Sequence, residues 1–121
     1  MTTLRLPLEI VQGAEFRRRF RAYGDMAKTE PIDYTEYDML FVVRRRQWID
    51  APEITRASTL DARITNGGDE GWFEVGIDGF TTRDLPDGDF YYWLMVWPTG
   101  HENLAANWLR GPCKVLPGVE I

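Results

Sequence analysis

The stretch that most restricts how this chain can fold runs from Leu85 to Trp97 and reads L-P-D-G-D-F-Y-Y-W-L-M-V-W. Pro86 fixes φ, Asp87 favours a turn and Gly88 tolerates positive φ, so the stretch opens with a reversal. Phe90 to Trp97 is then almost continuously apolar, until Pro98 stops it. Eight residues bounded by turn signals are too short for a comfortable helix and fit a strand buried on both faces. Period-two alternation sends Phe90, Tyr92, Leu94 and Val96 to one side. Tyr91, Trp93, Met95 and Trp97 go to the other. One side serves the core of the domain; the second row requires its own explanation.

The remainder of the chain is punctuated in the same way. Leu4, Leu6, Leu8 and Ile10 alternate around Pro7, which lacks a donor and places this first strand at a sheet edge. Glu15 to Tyr23 forms a second strand, with Phe16, Phe20, Ala22 and Arg18 on one face and Arg17, Arg19 and Arg21 on the other. The polar stretch from Gly24 to Glu30 is a loop. Asp38 to Arg44 is a third strand, apolar on both faces and ending in Arg44-Arg45-Arg46. Ile54 to Thr65 is expected to be one long strand with room for a break. Asn66-Gly67-Gly68-Asp69-Glu70-Gly71 is a strong turn signal leading into Trp72 to Ile77, where Phe73, Val75 and Ile77 alternate. One helical turn fits Asp78 to Leu85, capped by Thr81 or Thr82. The last strand, Trp108 to Leu116, directs Leu109, Gly111, Cys113 and Val115 inward. About seven short strands without a long helix make an all-β sandwich, and 121 residues suffice for one domain spanning 1–121.

Charge and composition exclude several roles. Residues 1–60 carry ten Lys/Arg and nine Asp/Glu, and residues 61–121 carry four and ten, so the net charge of −5 is concentrated in the second half. A surplus of acid disfavours general nucleic-acid binding. No apolar run reaches the ~18 residues of a membrane helix, and the opening Met1-Thr2-Thr3-Leu4-Arg5-Leu6-Pro7 lacks the features of a signal peptide. The lone Cys113 excludes an internal disulfide or a cysteine-based zinc site and reads as a small strand hydrophobe. His101, the single histidine, sits in a Gly-containing loop beside Glu102 and reads as a surface residue. There is no nucleophile elbow, zinc-binding histidine pair or phosphate loop. Asn66 to Glu70 offers oxygen atoms without the spacing of a calcium loop, and Asp84 and Asp87 flank a turn. No catalytic residue, cofactor or metal is expected.

The order of these features resembles a family of small bacteriophage virion proteins with an immunoglobulin-like domain, including the N-terminal domain of baseplate upper proteins. The resemblance rests on Q-G-A-x-F at Gln12 to Phe16, P-I-D-Y-T-x-Y at Pro31 to Tyr37, and the arginine-terminated strand. It continues through Asp69-Glu70-Gly71-Trp72-Phe73, T-x-x-L-P-x-G-x-F-x-Y at Thr82 to Tyr92, and L-R-G-x-x-x-V at Leu109 to Val115. It implies an immunoglobulin-like β-sandwich of about seven antiparallel strands and a non-enzymatic tail, baseplate or capsid-surface component. Such a component docks in multiple symmetric copies onto other virion structural proteins, in a virion assembled in the host cytoplasm. Two departures stand out. Phe90 occupies the slot of the tyrosine corner, so that corner must rest on packing. The outward row Tyr91, Trp93, Met95 and Trp97 also replaces the polar residues that such proteins tend to carry there.

Three readings of that row are open: cover by another segment of the same chain, contact with another subunit, or an exposed groove for sugar. The subunit contact is assigned first to Tyr91, Trp93, Met95 and Trp97 and second to Arg44, Arg45 and Arg46. Together with Arg17, Arg18, Arg19 and Arg21, the second group holds seven of the twelve arginines. Solvated strand faces, docking to an acidic patch, and genome contact are the readings of these arginines. A carbohydrate-binding module using Trp48 or Trp93 is the competing functional class.

Overall fold

The computed structural model describes residues 4–21, 33–47 and 51–118, with only the backbone of 4, 5, 107 and 108. Expectations for Ala22, the 24–30 loop, Pro31-Ile32, Trp48 and the side chain of Trp108 lie outside the described residues. Nine strand segments form two sheets: β1 (Leu4–Arg5), β2 (Leu8–Val11), β3 (Phe16–Arg21), β4 (Tyr37–Arg44), β5 (Glu53–Ser58), β6 (Ile64–Asn66), β7 (Trp72–Ile77), β8 (Gly88–Pro98) and β9 (Ala106–Leu116). The larger sheet has the order β1-β9-β8-β4-β5, with β2 also on β9, and the smaller has the order β3-β7-β6. This is the immunoglobulin-like sandwich, with one core between the sheets.

That core follows the expected alternation. Phe90, Tyr92, Leu94 and Val96 of β8 and Leu109, Cys113 and Val115 of β9 are buried against Phe16, Phe20, Phe73, Val75 and Ile77 of the small sheet. One ring pair bridges the two sheets, Phe16 stacking on Phe41 with centroids 6.0 Å apart, and within the large sheet Phe41 meets Tyr92 at 5.5 Å. Within the small sheet Phe20 stacks on Phe73 at 5.2 Å, and Tyr34, from the segment leading into β4, meets Phe73 edge-on at 5.7 Å. Such pairs contribute about 0.5–1.5 kcal/mol each beyond area burial. The Phe16–Phe41 pair joins the sheets where a disulfide is absent. Burial pushes the Cys113 thiol up to about 12, so it is a neutral, inert core group, as its sequence neighbours suggest.

Two strand expectations are corrected. The first strand does lie at the edge, but it runs parallel to β9, Leu4 opposite Leu109 and Ile10 opposite Val115, and it breaks into β1 and β2 at Leu6-Pro7. Alternation identifies a strand and its buried face; it says nothing about the direction of its partner. The Phe90 corner is buried as packing requires, and the next inward ring supplies the hydroxyl: Tyr92 Oη donates to Leu6 O at 2.5 Å. Gly111 makes room for this kink, because a Cβ there would lie 2.7 Å from Leu6 O. The second correction concerns Ile54 to Thr65, which is two strands in different sheets. Ser58 N donates to Asp61 Oδ1 at 3.0 Å and Asp61 N to Ser58 Oγ at 3.1 Å, a reciprocal turn, and Ala62 follows at φ 64°.

The helical turn is real but differently capped. α1 spans Gly79–Arg83, and Asp78 Oδ1 accepts from Thr81 N at 2.8 Å, so Asp78 rather than Thr81 or Thr82 is its cap. Thr82 is buried and donates to Ala14 O at 2.7 Å, tying this turn to the β2–β3 link. At the opposite end, Asn66 Nδ2 donates to Tyr34 O at 2.7 Å and Tyr37 O at 3.2 Å, while Tyr34 N donates to Gly68 O at 2.9 Å. The 66–71 turn is thus a structural clasp around the Asp33 to Tyr37 motif.

Candidate functional site

The two outer faces of the sandwich differ in how much of their polar chemistry is already used. On the small sheet, β3 presents Arg17, Arg19 and Arg21, with Arg17 opposite Gly76, Arg19 opposite Glu74 and Arg21 opposite Trp72. Arg17 Nη1 donates to Glu74 Oε1 at 2.6 Å and Arg17 Nε to Glu15 Oε1 at 2.8 Å, while Arg19 Nε reaches Glu74 Oε2 at 3.3 Å. The Arg19 guanidinium lies 4.0 Å from the Trp72 ring centroid, and Trp72 Nε1 donates to Glu70 Oε2 at 2.8 Å. Behind Trp72, a Cβ on Gly67 would overlap the ring. The hydrogen bond from Arg17 holds the Glu74 carboxyl below its ordinary range, and Glu15 is lowered by the same guanidinium. Arg17, Arg19, Glu15, Glu74, Trp72 and Glu70 thus form one connected network on this face. β3 is an edge strand, and a row of arginines there also opposes pairing with another edge.

The large sheet has a different outer face. On β4 it carries Asp38, Leu40, Val42 and Arg44, which lie opposite Trp97, Met95, Trp93 and Tyr91 of β8. On β9 it carries Arg110 opposite Trp93 and Pro112 opposite Tyr91. The aromatic row therefore lies on the outer face, as alternation requires, but its exposure differs from the expected one. Trp93 and Trp97 are only 7% and 6% exposed, so the chain itself covers most of both rings. Tyr91, Met95 and Leu40 are half-buried and form the accessible apolar surface. Trp93 and Trp97, assigned to the subunit contact together with Tyr91 and Met95, are thus covered mostly by the chain itself, which is the first of the three readings left open for that row. Solvent exposure depends on what other segments of the chain cover, which period-two alternation does not contain.

The second expected cluster divides too. Arg44 is half-buried and donates through Nη1 to Ala51 O at 2.9 Å, while Arg45 N donates to Pro52 O at 2.9 Å, so both fasten the β4–β5 turn. Arg44 Nε is buried without a hydrogen-bond partner. The side chains of Arg45 and Arg46 are exposed at the foot of the sheet, and Arg46 Nη1 reaches only Arg45 O, at 3.3 Å.

A shallow cavity of about 140 Å³ opens on this face between Tyr91, Trp93, Arg110 and Gln47. Its floor is the Tyr92–Gly111 pair of the β8–β9 ladder. Both residues of that rung face inward, so on the outer face the cavity lies between the Trp93–Arg110 and Tyr91–Pro112 rungs. Arg110 is exposed and has no carboxylate partner among the described residues. The nearby acids are committed elsewhere: Arg56 grips Glu53 with bonds of 2.9 and 2.8 Å, and Asp38 accepts from Thr59 Oγ1 at 2.7 Å. Arg110 and the cavity were missed in the sequence. No local sequence signal marks them, because the opening depends on cross-strand register and on Gln47 from the β4–β5 turn.

The described residues contain no cluster of three or more metal-binding side chains, and no helix is long and apolar enough to cross a membrane. No family model and no curated protein matches the chain. Among solved structures it is similar to the NK cell receptor Nkp44, described as a triggering partner in natural cytotoxicity. The two agree with a TM-score of 0.54 at 16% identity, over 93% of this chain and 99% of that one. At that identity the likeness is one of fold: the chain has an all-β, immunoglobulin-like sandwich.

Proposed function

We propose that this chain is a non-enzymatic bacteriophage virion protein, a minor tail, baseplate or capsid-surface component. In this reading it docks in many copies onto other particle proteins through the outer face of its large sheet. The motif series from Gln12 to Val115 supports the virion assignment, and the contrast between the two outer faces supports the location. On the small sheet Arg17 and Arg19 are paired with Glu15 and Glu74 within the chain, whereas the large sheet offers Tyr91, Met95 and Leu40 on the same face as Arg110, which has no carboxylate partner among the described residues. Covering the remaining exposed parts of three half-buried side chains contributes a few kcal/mol at about 25 cal/mol per Å². Association costs about 4–15 kcal/mol, so a single contact is weak and repetition around a symmetric particle supplies the avidity.

The test uses surface changes that spare the core. Tyr91→Ser with Met95→Ser should fold normally yet enter purified particles at a strongly reduced copy number, read by quantitative mass spectrometry. Wild-type copy number in particles would refute the docking face, and absence of the wild-type chain from particles would refute the virion assignment. The alternative, a carbohydrate-binding module, is favoured by Trp93 and Tyr91 lining one cavity with Gln47 and Arg110. Glycan-array binding that disappears in Arg110→Gln would support it.

A further inference from the structure

Resting on the docking reading, we infer that the cavity beside Arg110 is a receptor for the carboxylate of an Asp or Glu side chain on the partner protein. Arg110 stands opposite Trp93 and one rung from the Tyr91–Pro112 pair, so its guanidinium stands beside an opening walled by two aromatic residues. Gln47 adds an amide donor from the β4–β5 turn. Trp93 has an indole N–H with no acceptor among the described residues, and that nitrogen is not one of the buried orphan atoms. Arg110, Gln47 and Trp93, which all carry N–H donors, line one opening, the residue types an acceptor-only group requires.

The surrounding charge has the same sense. Arg44 lies directly across from Tyr91, half-buried, with its Nε unsatisfied. Low solvent access strengthens the attraction of such a cation for an anion nearby. The acids of this face are held away from Arg110, Glu53 by Arg56 and Asp38 by Thr59. Asp89, on the same face of β8, is the ladder partner of Lys114, four rungs from Arg110. An arginine fork favours a carboxylate over a neutral amide through two parallel charge-assisted bonds. The apolar neighbours Tyr91, Met95 and Leu40 favour a protein surface, in which an acidic side chain sits within an apolar rim.

The test is a titration of ¹⁵N-labelled full-length protein with N-acetyl-glutamate methylamide, followed at the Trp93 indole and Arg110 Nε resonances. Saturable shifts confined to the cavity are expected, with N-acetyl-glutamine methylamide about tenfold weaker or more, the loss of a charged partner. Arg110→Gln should abolish them and Arg46→Gln should leave them in place. Equal binding of the two peptides, shifts that persist in Arg110→Gln, or tighter binding of glucuronate than of the glutamate probe would each overturn the assignment. The last outcome would move the site to acidic sugars. If glutamate binding holds while Tyr91→Ser with Met95→Ser still enters particles normally, the docking reading fails separately.

Discussion

Replacing Tyr92 by phenylalanine isolates the bond that pins the kinked first strand to the core. Tyr92 is 1% exposed, and its hydroxyl donates to Leu6 O at 2.5 Å across 86 residues of chain. Near neutral pH, losing one neutral hydrogen bond costs about 1 kcal/mol, and the half-buried Leu6 carbonyl can recover some of this from water. For a chain of this size that lowers Tm by roughly 3–6 °C and shifts the denaturation midpoint with no change in m. The effect should vanish at high pH. Burial, with a smaller contribution from Cys113, pushes the Tyr92 phenol up to about 12 from an ordinary value near 10. A group whose pKa is raised on folding stabilises fully below its unfolded pKa and loses that contribution as pH rises through the folded one. By pH 11 the wild type has lost roughly 1.4 kcal/mol from this group alone, and the Tyr92→Phe variant, with no phenol to ionise, loses nothing. Urea denaturation of both proteins at pH 7, 9, 10 and 11 should therefore show the tyrosine ahead by about 1 kcal/mol at pH 7, with the lead lost between pH 10 and 11 and slightly reversed at pH 11. A gap that stays constant with pH, or no gap at pH 7, would refute the reasoning.

Other changes test separate parts of the structure. Gly67→Ala should destabilise by about 1–3 kcal/mol and alter the near-ultraviolet circular dichroism of Trp72, since the added methyl overlaps its ring. Trp93→Ala should cost about 3–5 kcal/mol in denaturant without any partner present, because the ring is already packed by its own chain. Ala62→Gly should stabilise by about 0.5–1 kcal/mol in a thermal melt, relieving a left-handed alanine at φ 64°. Lowering pH should weaken the outer network of the small sheet. Glu74 and Glu15 titrate below their ordinary values through Arg17, so their contribution is complete above the unfolded pKa and lost as pH falls through the folded one. Glu74→Gln should flatten the acid limb of a stability–pH profile.

Much of this fold was legible because its strands announce themselves. Phe90 to Val96 and Leu109 to Val115 alternate so regularly that their buried residues could be named individually, and the turn signals at Asn66-Gly67 and Pro86-Asp87-Gly88 bounded the neighbouring strands. What escaped depended on contacts between distant segments. Nothing in Leu4 to Ile10 reveals that β9 accepts it in parallel. Thr81 and Thr82 looked like caps until Thr82 was seen bonding Ala14, which leaves the role to Asp78. The arginines of β3 were read as a solvated face or a docking patch; cross-strand register shows Glu74 lying between two of them. At the candidate site, alternation found the face but not its exposure. Trp93 and Trp97 are as hydrophobic as Tyr91 and Met95, and only tertiary burial separates the covered pair from the half-buried one.

The central claim is that the large sheet's outer face meets the partner and the small sheet's does not. Hydroxyl-radical footprinting of the chain, free and within purified particles, addresses it directly. Oxidation of Tyr91, Met95 and Leu40 should fall sharply in the particle while that of Trp72 stays unchanged. Protection of Trp72 with Tyr91 and Met95 as reactive as in the free chain would contradict it.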